Sequence, residues 1–411
     1  MKNKIEPVAK IYYKGDNDKM LKNLLKKDIK IFMFLLILPI IVPTALCSIF
    51  GNIYVQDIPM GIVDNDNSFL SRKISTGFET HPGFQIYYVD SEADLQKSIK
   101  SKELSCGIVI PQNFNQDLSS RNPSKIIAFI DGTNLLIGNN ARGYISSVLS
   151  TYNAGIELNY LEGKGMLPQE AVKVISTFNY VDRTLYDPYL SYLCYLIYII
   201  VPYLIQTFFV CYFSIPVLSQ ERVDFLQLKE NGREFYKAYT CERIKAILPR
   251  FLFIGVSSSV ASYIGLLIAA KFFGLPMRGN VLCYFVLMAT FILAISASSL
   301  FISTFIRPRN TLYFAEFYTI ISVVIIITSG ATWPTFLMPK GFYSIVKIMW
   351  PYAILANPFK LLNLKGSGWS IITPYIVEGL LFSIFWVAVS AIVIILQKRR
   401  QFRVNNILNK K

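Results

Sequence analysis

Residues Ile31–Phe50, IFMFLLILPIIVPTALCSIF, carry no charge. About 20 apolar residues rising 1.5 Å each cover roughly 30 Å, the thickness of a bilayer's hydrocarbon core. The run therefore predicts a membrane span. A long polar, lysine-rich stretch precedes it and no A-x-A site follows, so it reads as a retained span and not as a cleaved signal. Leu46 before Cys47 is likewise too large for a lipoprotein signal.

Five further apolar runs follow, at about 189–218, 251–270, 281–306, 313–330 and 370–396. The 53% hydrophobic content over 411 residues fits a protein that lives largely in lipid. The formal charge of +15 suggests nucleic acid, but the basic residues flank the apolar runs and gather on no folded face. Lysines from Lys2 to Lys30 precede the first run; Lys398, Arg399, Arg400, Arg403, Lys410 and Lys411 follow the last. Lys and Arg beside span ends mark the cytoplasmic side, so both termini are expected there and the span number is even. No nucleic acid is expected as a partner; membrane lipids are.

Between the first two runs the pattern changes to short apolar strands, IPMGIVD, FQIYYVD, SCGIVIP and KIIAFID, separated by polar helical stretches. That alternation predicts an α/β domain with a largely parallel sheet. The expected fold is thus a polytopic α-helical membrane protein of six spans, with an extracytoplasmic α/β domain between spans one and two. Its segments are a cytoplasmic tail 1–30, the first span 31–50, the α/β domain 51–187, a five-span domain 188–396 with a cytoplasmic elbow 219–246, and a basic cytoplasmic tail 397–411. Residues 20–30 read either as a basic amphipathic helix on the membrane surface or as the polar start of the span. Residues 331–369, with Trp333, Trp350 and Trp369 among prolines and lysines, predict an interfacial or re-entrant helix pair.

Chemistry-bearing motifs are few. Asp64 and Asp66 form a D-x-D that could grip a divalent cation, but a strand-to-helix turn capped by Asn67 or Ser68 is the favoured reading. His81 lies in a Thr-His-Pro-Gly turn. No phosphate loop, nucleophile–base pair or Cys/His cluster occurs, so the chain reads as a non-enzyme that binds no cofactor or metal. The charged segment Ser219–Lys245 suits either a solvated face or a docking elbow.

The arrangement resembles the permease subunits of type-2 ABC exporters, the bacterial drug and lipid exporter group with a large external domain after the first span. The resemblance rests on Pro59, Asp64, Asp66, Asn67 and Ser68, then on Arg183, Asp187 and Pro188 before the second span, and on Gly330, Pro334, Pro339 and Pro351 between the last two. It implies a multi-pass protein of the bacterial cytoplasmic membrane that moves an amphipathic or hydrophobic substrate outward. The implied partners are a cytoplasmic ABC ATPase in two copies, which holds ATP and magnesium, and a second permease, identical or similar. A periplasmic adaptor is a further partner the group admits. It also favours the docking reading of the elbow, with Glu221, Arg222, Glu230, Arg233 and Glu234 as contacts. Two departures stand out: no Gly-Thr follows Gln220-Glu221-Arg222, and Asp187 stands where Asn is common. The alternative is a non-transporting receptor or envelope-interaction protein whose external domain binds a ligand.

Overall fold

The computed structural model describes the backbone of residues 17–50, 55–120, 122–175, 185–187, 192–227, 233–339 and 341–408. Side chains are described over the same ranges except 17–32, 50, 192, 233–238 and 404–408. Two compact units emerge, one from Met1–Gly51 with Leu190–Lys411 and one from Asn52–Tyr189. The first helix, α1 (Asn17–Phe50), belongs to the former.

The Asn52–Tyr189 unit is an α/β fold. Its strands β1 (Ile58–Asp64), β2 (Phe84–Tyr88), β3 (Cys106–Ile110) and β4 (Ile127–Ile130) lie in the order β2-β1-β3-β4. The intervening helices are α2 (Phe69–Glu79), α3 (Glu92–Lys100) and α4 (Phe114–Ser119); α5 (Leu135–Gly163) and α6 (Pro168–Ile175) follow. Alternation along the strands sorts the side chains onto two faces. Met60, Ile62, Cys106 and Ile108 pack with Ile74 and Phe78 of α2 and Ile145 of α5, while Val63 and Val109 face Leu95 of α3. Gly61 and Gly107 are register partners on that second face, and a Cβ on either would run into Leu95. Two missing side chains thus make the seat for one leucine.

β1 pairs in parallel with β2 and β3, but β4 runs antiparallel to β3. The six-residue α4 rises only about 9 Å, less than the roughly 17 Å of a five-residue strand, so it does not carry the chain back to the strand's start. The Nδ1 of His81 accepts from the Gly83 amide at 3.1 Å, and its ring packs on Phe84 and Tyr144. Burial lowers its pKa, keeping it a neutral turn residue.

In the other unit, α7 (Tyr192–Phe208) passes through a π-helical segment, Phe209–Ser214, into α8 (Ile215–Gln227). Then come α9 (Arg233–Phe273), α10 (Val281–Ser303), α11 (Thr311–Thr328), α12 (Phe342–Met349), α13 (Pro351–Lys365) and α14 (Trp369–Leu408). Among the described residues, five helices are long and apolar enough to cross a membrane: Leu193–Gln227, Tyr239–Phe273, Val281–Ser303, Pro308–Thr328 and Trp369–Arg403. The first expected span lies within α1, whose described apolar part is Met33–Ile49. No helix break separates residues 20–30 from that span.

The elbow expected at 219–246 is described at 219–227 and 233–246. Its described parts are direct continuations of flanking helices, α8 running on to Gln227 and α9 starting at Arg233. The expected C-terminal tail is helical too, because α14 runs to Leu408. Between α11 and α14 lies the anticipated pair of short helices. At 15 residues α13 is about 22 Å long, too short to span, yet Tyr352, Leu355, Ala356, Phe359 and Leu362 are fully or almost fully buried against α7, α10 and α14. Pro351 starts α13 at its first position, where no donor is missed, and Gly366 ends it at φ +68.

Prolines shape the packing of α1. Pro43 has no N–H, so the Pro39 carbonyl loses its helical donor, and Gly265 of α9 lies directly against that oxygen. Gly265→Leu should therefore destabilise the chain by about 1–3 kcal/mol, the usual range for overpacking, measured as a lowered thermal midpoint in detergent. Gly143→Ala, at a helical position with open space, should not lower it. Burial also pushes the Cys106 thiol up to about 12, whereas Cys241 is exposed. Maleimide added to the folded chain at pH 7–8 should modify Cys241 and spare Cys106; mass mapping that finds Cys106 modified before unfolding would contradict the fold of β3.

Candidate functional site

The described ends of α8, α10 and α14 and the early turns of α9 meet in a polar junction. α10 ends at Ser303, so the carbonyls just beyond it have no helical donor. Arg222 of α8 supplies two: its guanidinium donates to the carbonyls of Thr304 and, at 3.0 Å, Ile306. Gln397 of α14 adds a bond from Nε2 to the Thr304 carbonyl at 2.9 Å. In return Lys398, only 8% exposed, donates from Nζ to the last carbonyls of α8, Phe225 at 3.1 Å and Leu226 at 2.7 Å. A cation at a helix C-terminus also meets the negative end of the macrodipole, so charge and hydrogen bonding act together.

A second pair of contacts joins α8 to α9. Arg243 lies 3.3 Å from Glu221 and 3.3 Å from Asp224, one turn apart on α8, with side chains about a quarter exposed or less. Its Nε also donates to Tyr239 at 3.2 Å, and the Tyr239 ring approaches Phe225. Each of the four helices is thus bonded to at least one other through side chains that cannot be pulled out singly without stranding a buried carbonyl or charge.

Of the residues expected to dock a partner, Glu221 and Arg222 are therefore half-buried with internal partners. Both keep part of their surface exposed, so these bonds tie the expected contacts into the chain. Glu230 lies outside the described residues, as do the side chains of Arg233 and Glu234. The sequence does not single out Arg243, Thr304 or Gln397, and it places Lys398 in the basic tail, where the structure finds it nearly buried on α8. The available signal was a basic or amide side chain within a turn of where an apolar run stops.

The D-x-D carboxylates are engaged in capping. Asp64 accepts from the Asp66 and Asn67 amides at 3.1 and 3.0 Å and from the Ser71 hydroxyl at 2.7 Å. Asp66 accepts from the Asn115 amide at 3.1 Å, tying the turn to the start of α4. Ser68 and Ser71 form a reciprocal capping box at the start of α2. Among the described residues no cluster of His, Cys, Asp or Glu is arranged to hold a metal.

The other motif residues serve turns and strand ends. Pro59 pairs with Gln85 across β1 and β2. Asp187 donates its amide to the Leu185 carbonyl at 3.0 Å, around Tyr186 at φ +73, whereas Arg183 and Pro188 lie outside the described residues. Gly330, at φ +80, turns the chain beside Thr335 and Tyr343. Pro334 leads into a single 3-10 turn, and the Pro339 carbonyl accepts from Phe342 at 3.1 Å. Glu378, an acid near the start of α14, pairs with Lys347 of α12.

The profile of the ABC-2 family of transporter proteins matches residues 30–392. The chain belongs to that family. No curated protein and no solved structure matches it. As an ABC-2 protein it is the multi-pass membrane component of a transporter, with a permease role, and the family implies partnership with an ABC ATPase subunit.

The junction gives a direct test. Replacing Arg222 by Gln should cost about 2–3 kcal/mol by stranding buried carbonyls, read as a lowered thermal midpoint. Arg222→Lys, which keeps the charge and one bond, should fall between. Unchanged midpoints in both would show that the junction does not hold the helices together.

Proposed function

We propose that this ABC-2 permease exports an amphipathic or hydrophobic substrate, drug-like or lipid-like, from the cytoplasm or the inner leaflet. It works as a dimer with itself or a similar permease and with two copies of a cytoplasmic ATPase that carries the ATP and magnesium. The supporting observation is the polar junction. α8 and α9 carry charge beyond their apolar parts and are bonded to each other, to α10 and to α14. A displacement delivered to α8 or α9 is therefore passed at once to four of the long helices. ATP can drive transport only if its binding favours one arrangement of those helices over another, and a bonded junction can move as one body.

In this reading the junction faces the cytoplasm of a bacterial inner membrane, both termini lie on that side, and the α/β unit lies outside, accessible to a periplasmic adaptor. The basic flanks support that orientation. The docking contacts are then Glu230, Arg233 and Glu234 with the partly exposed Glu221 and Arg222, whose bonds within the chain lead from a partner into the junction.

The test is a mild-detergent pull-down of the tagged chain from its native membrane, with co-purifying proteins identified and ATP hydrolysis assayed. Recovery of an ATPase whose activity depends on this chain is expected, and Arg233→Glu should reduce that recovery several-fold without lowering the thermal midpoint. A chain that comes down with envelope proteins and no ATPase would replace export by the receptor reading. A membrane-impermeant maleimide should reach Cys241 in inside-out vesicles and not in intact cells; the reverse would invert the orientation.

A further inference from the structure

The turn between α10 and α11 forms an open groove of about 370 Å³, lined by Phe305, Ile306, Arg307, Asn310, Tyr313 and Phe314. Its position follows from the chain: the apolar α10 has just ended, and the apolar α11 is about to begin, so the groove sits where the hydrocarbon core gives way to headgroups. Its lining is mixed in a particular way. Phe305 and Tyr313 are largely exposed, and Arg307 stands between them on the turn. Neither Arg307 nor Arg309 has a side-chain partner among the described residues. Arg222, bonded to the Ile306 carbonyl, places a further positive charge behind the groove.

The groove does not end at Tyr313. Exposed Phe317, Ile320, Val324 and Ile327 continue from it at intervals of three and four residues, an apolar stripe within a broader exposed face that also holds Val323. A soluble phosphate compound would use the arginine and leave the stripe unused; an apolar helix of a second copy would use the stripe and leave the arginine unused. A diacyl lipid uses both, with phosphate on the cation and chains along the stripe. The lining holds no acid. Glu316 flanks the stripe one turn beyond Tyr313, and against Arg307 and Arg309 it leaves the turn with a net charge of +1 (2 − 1).

We propose that this groove is a binding site for one anionic glycerophospholipid of the leaflet on the junction side, its phosphate held by Arg307 and its chains lying along Tyr313, Phe317 and Ile320. Ile306 connects the groove to Arg222, so an occupied site braces the junction directly. The inference uses the membrane placement of the helices and not the ATPase partner, so it stands or falls separately from export.

The experiment is native mass spectrometry of the full-length chain in detergent with equimolar phosphatidylglycerol and phosphatidylcholine of the same acyl chains. One phosphatidylglycerol should be retained in preference. Arg307→Gln should raise the concentration needed by about fivefold, the effect of one cation near a membrane surface, and Arg307→Lys should largely keep the preference. Glu316→Gln should sharpen it, Tyr313→Ala should weaken both lipids alike, and Lys271→Gln in the last turn of α9 should change nothing. Equal retention of both lipids, or an Arg307→Gln chain that binds like the parent, would overturn the proposal. So would full competition by glycerol 3-phosphate, which would indicate a soluble ligand. Loss of ATPase recovery in Phe305→Ala with lipid retention unchanged would assign the groove to the protein partner instead.

Discussion

A backbone carbonyl that has lost its helical donor finds no water inside a bilayer, and this structure is organised around finding it another donor. The carbonyls beyond α10 are met by Arg222 and Gln397, and those at the end of α8 by Lys398. At the turn after α9 the Tyr198 hydroxyl donates to Pro276 and the Arg278 amide to Asn363, while the Arg278 guanidinium reaches Leu364 at 2.8 Å. Tyr352 reaches the Ile199 carbonyl at 2.9 Å, beside the one that Pro202 deprives of a donor. Where no side chain reaches, as at Pro39, a glycine lets the neighbouring helix cover the oxygen. Each solution joins segments far apart in sequence, so satisfying the backbone and assembling the bundle are one process.

Between α7 and α11 the same economy applies to side chains. Tyr203 and Ser322 share a hydrogen bond at 2.9 Å, and Gln206 donates to Tyr318 at 3.1 Å, so these polar groups face each other and not lipid. The π-helical segment Phe209–Ser214 follows immediately, widening one turn of the helix where it continues towards the junction. A helix with a proline at 202 and a π segment seven residues later is interrupted twice in its backbone ladder, so it runs in short pieces and not as one rod.

How much of this was legible in the sequence depends on whether the signal was local. Apolar runs gave most of the helices, and alternation gave the four strands with the capping turn from Asp64 to Ser68. The reversal of β4 was not legible, because it depends on how far a six-residue helix carries the chain and not on the composition of Ile127–Ile130. The junction escaped for a different reason. Arg222 meets carbonyls more than 80 residues away, and a carbonyl has no letter in the sequence. The elbow's charges looked free because their partner, Arg243, sits on the next helix, and Lys398 looked like tail because nothing in its neighbourhood announces a buried lysine.

The buried α13 carries an implication for how the molecule is made. A helix of about 22 Å cannot be left in a bilayer on its own. Its seat is formed by α7 and α10, which are synthesised before it, and by α14, which follows. During synthesis the segment Pro351–Lys365 therefore meets α7 and α10 first, and one side of it stays open until α14 has emerged from the ribosome and been inserted. A chain cut short before Trp369 would keep that side open, an exposed apolar face of the kind that membrane quality control recognises.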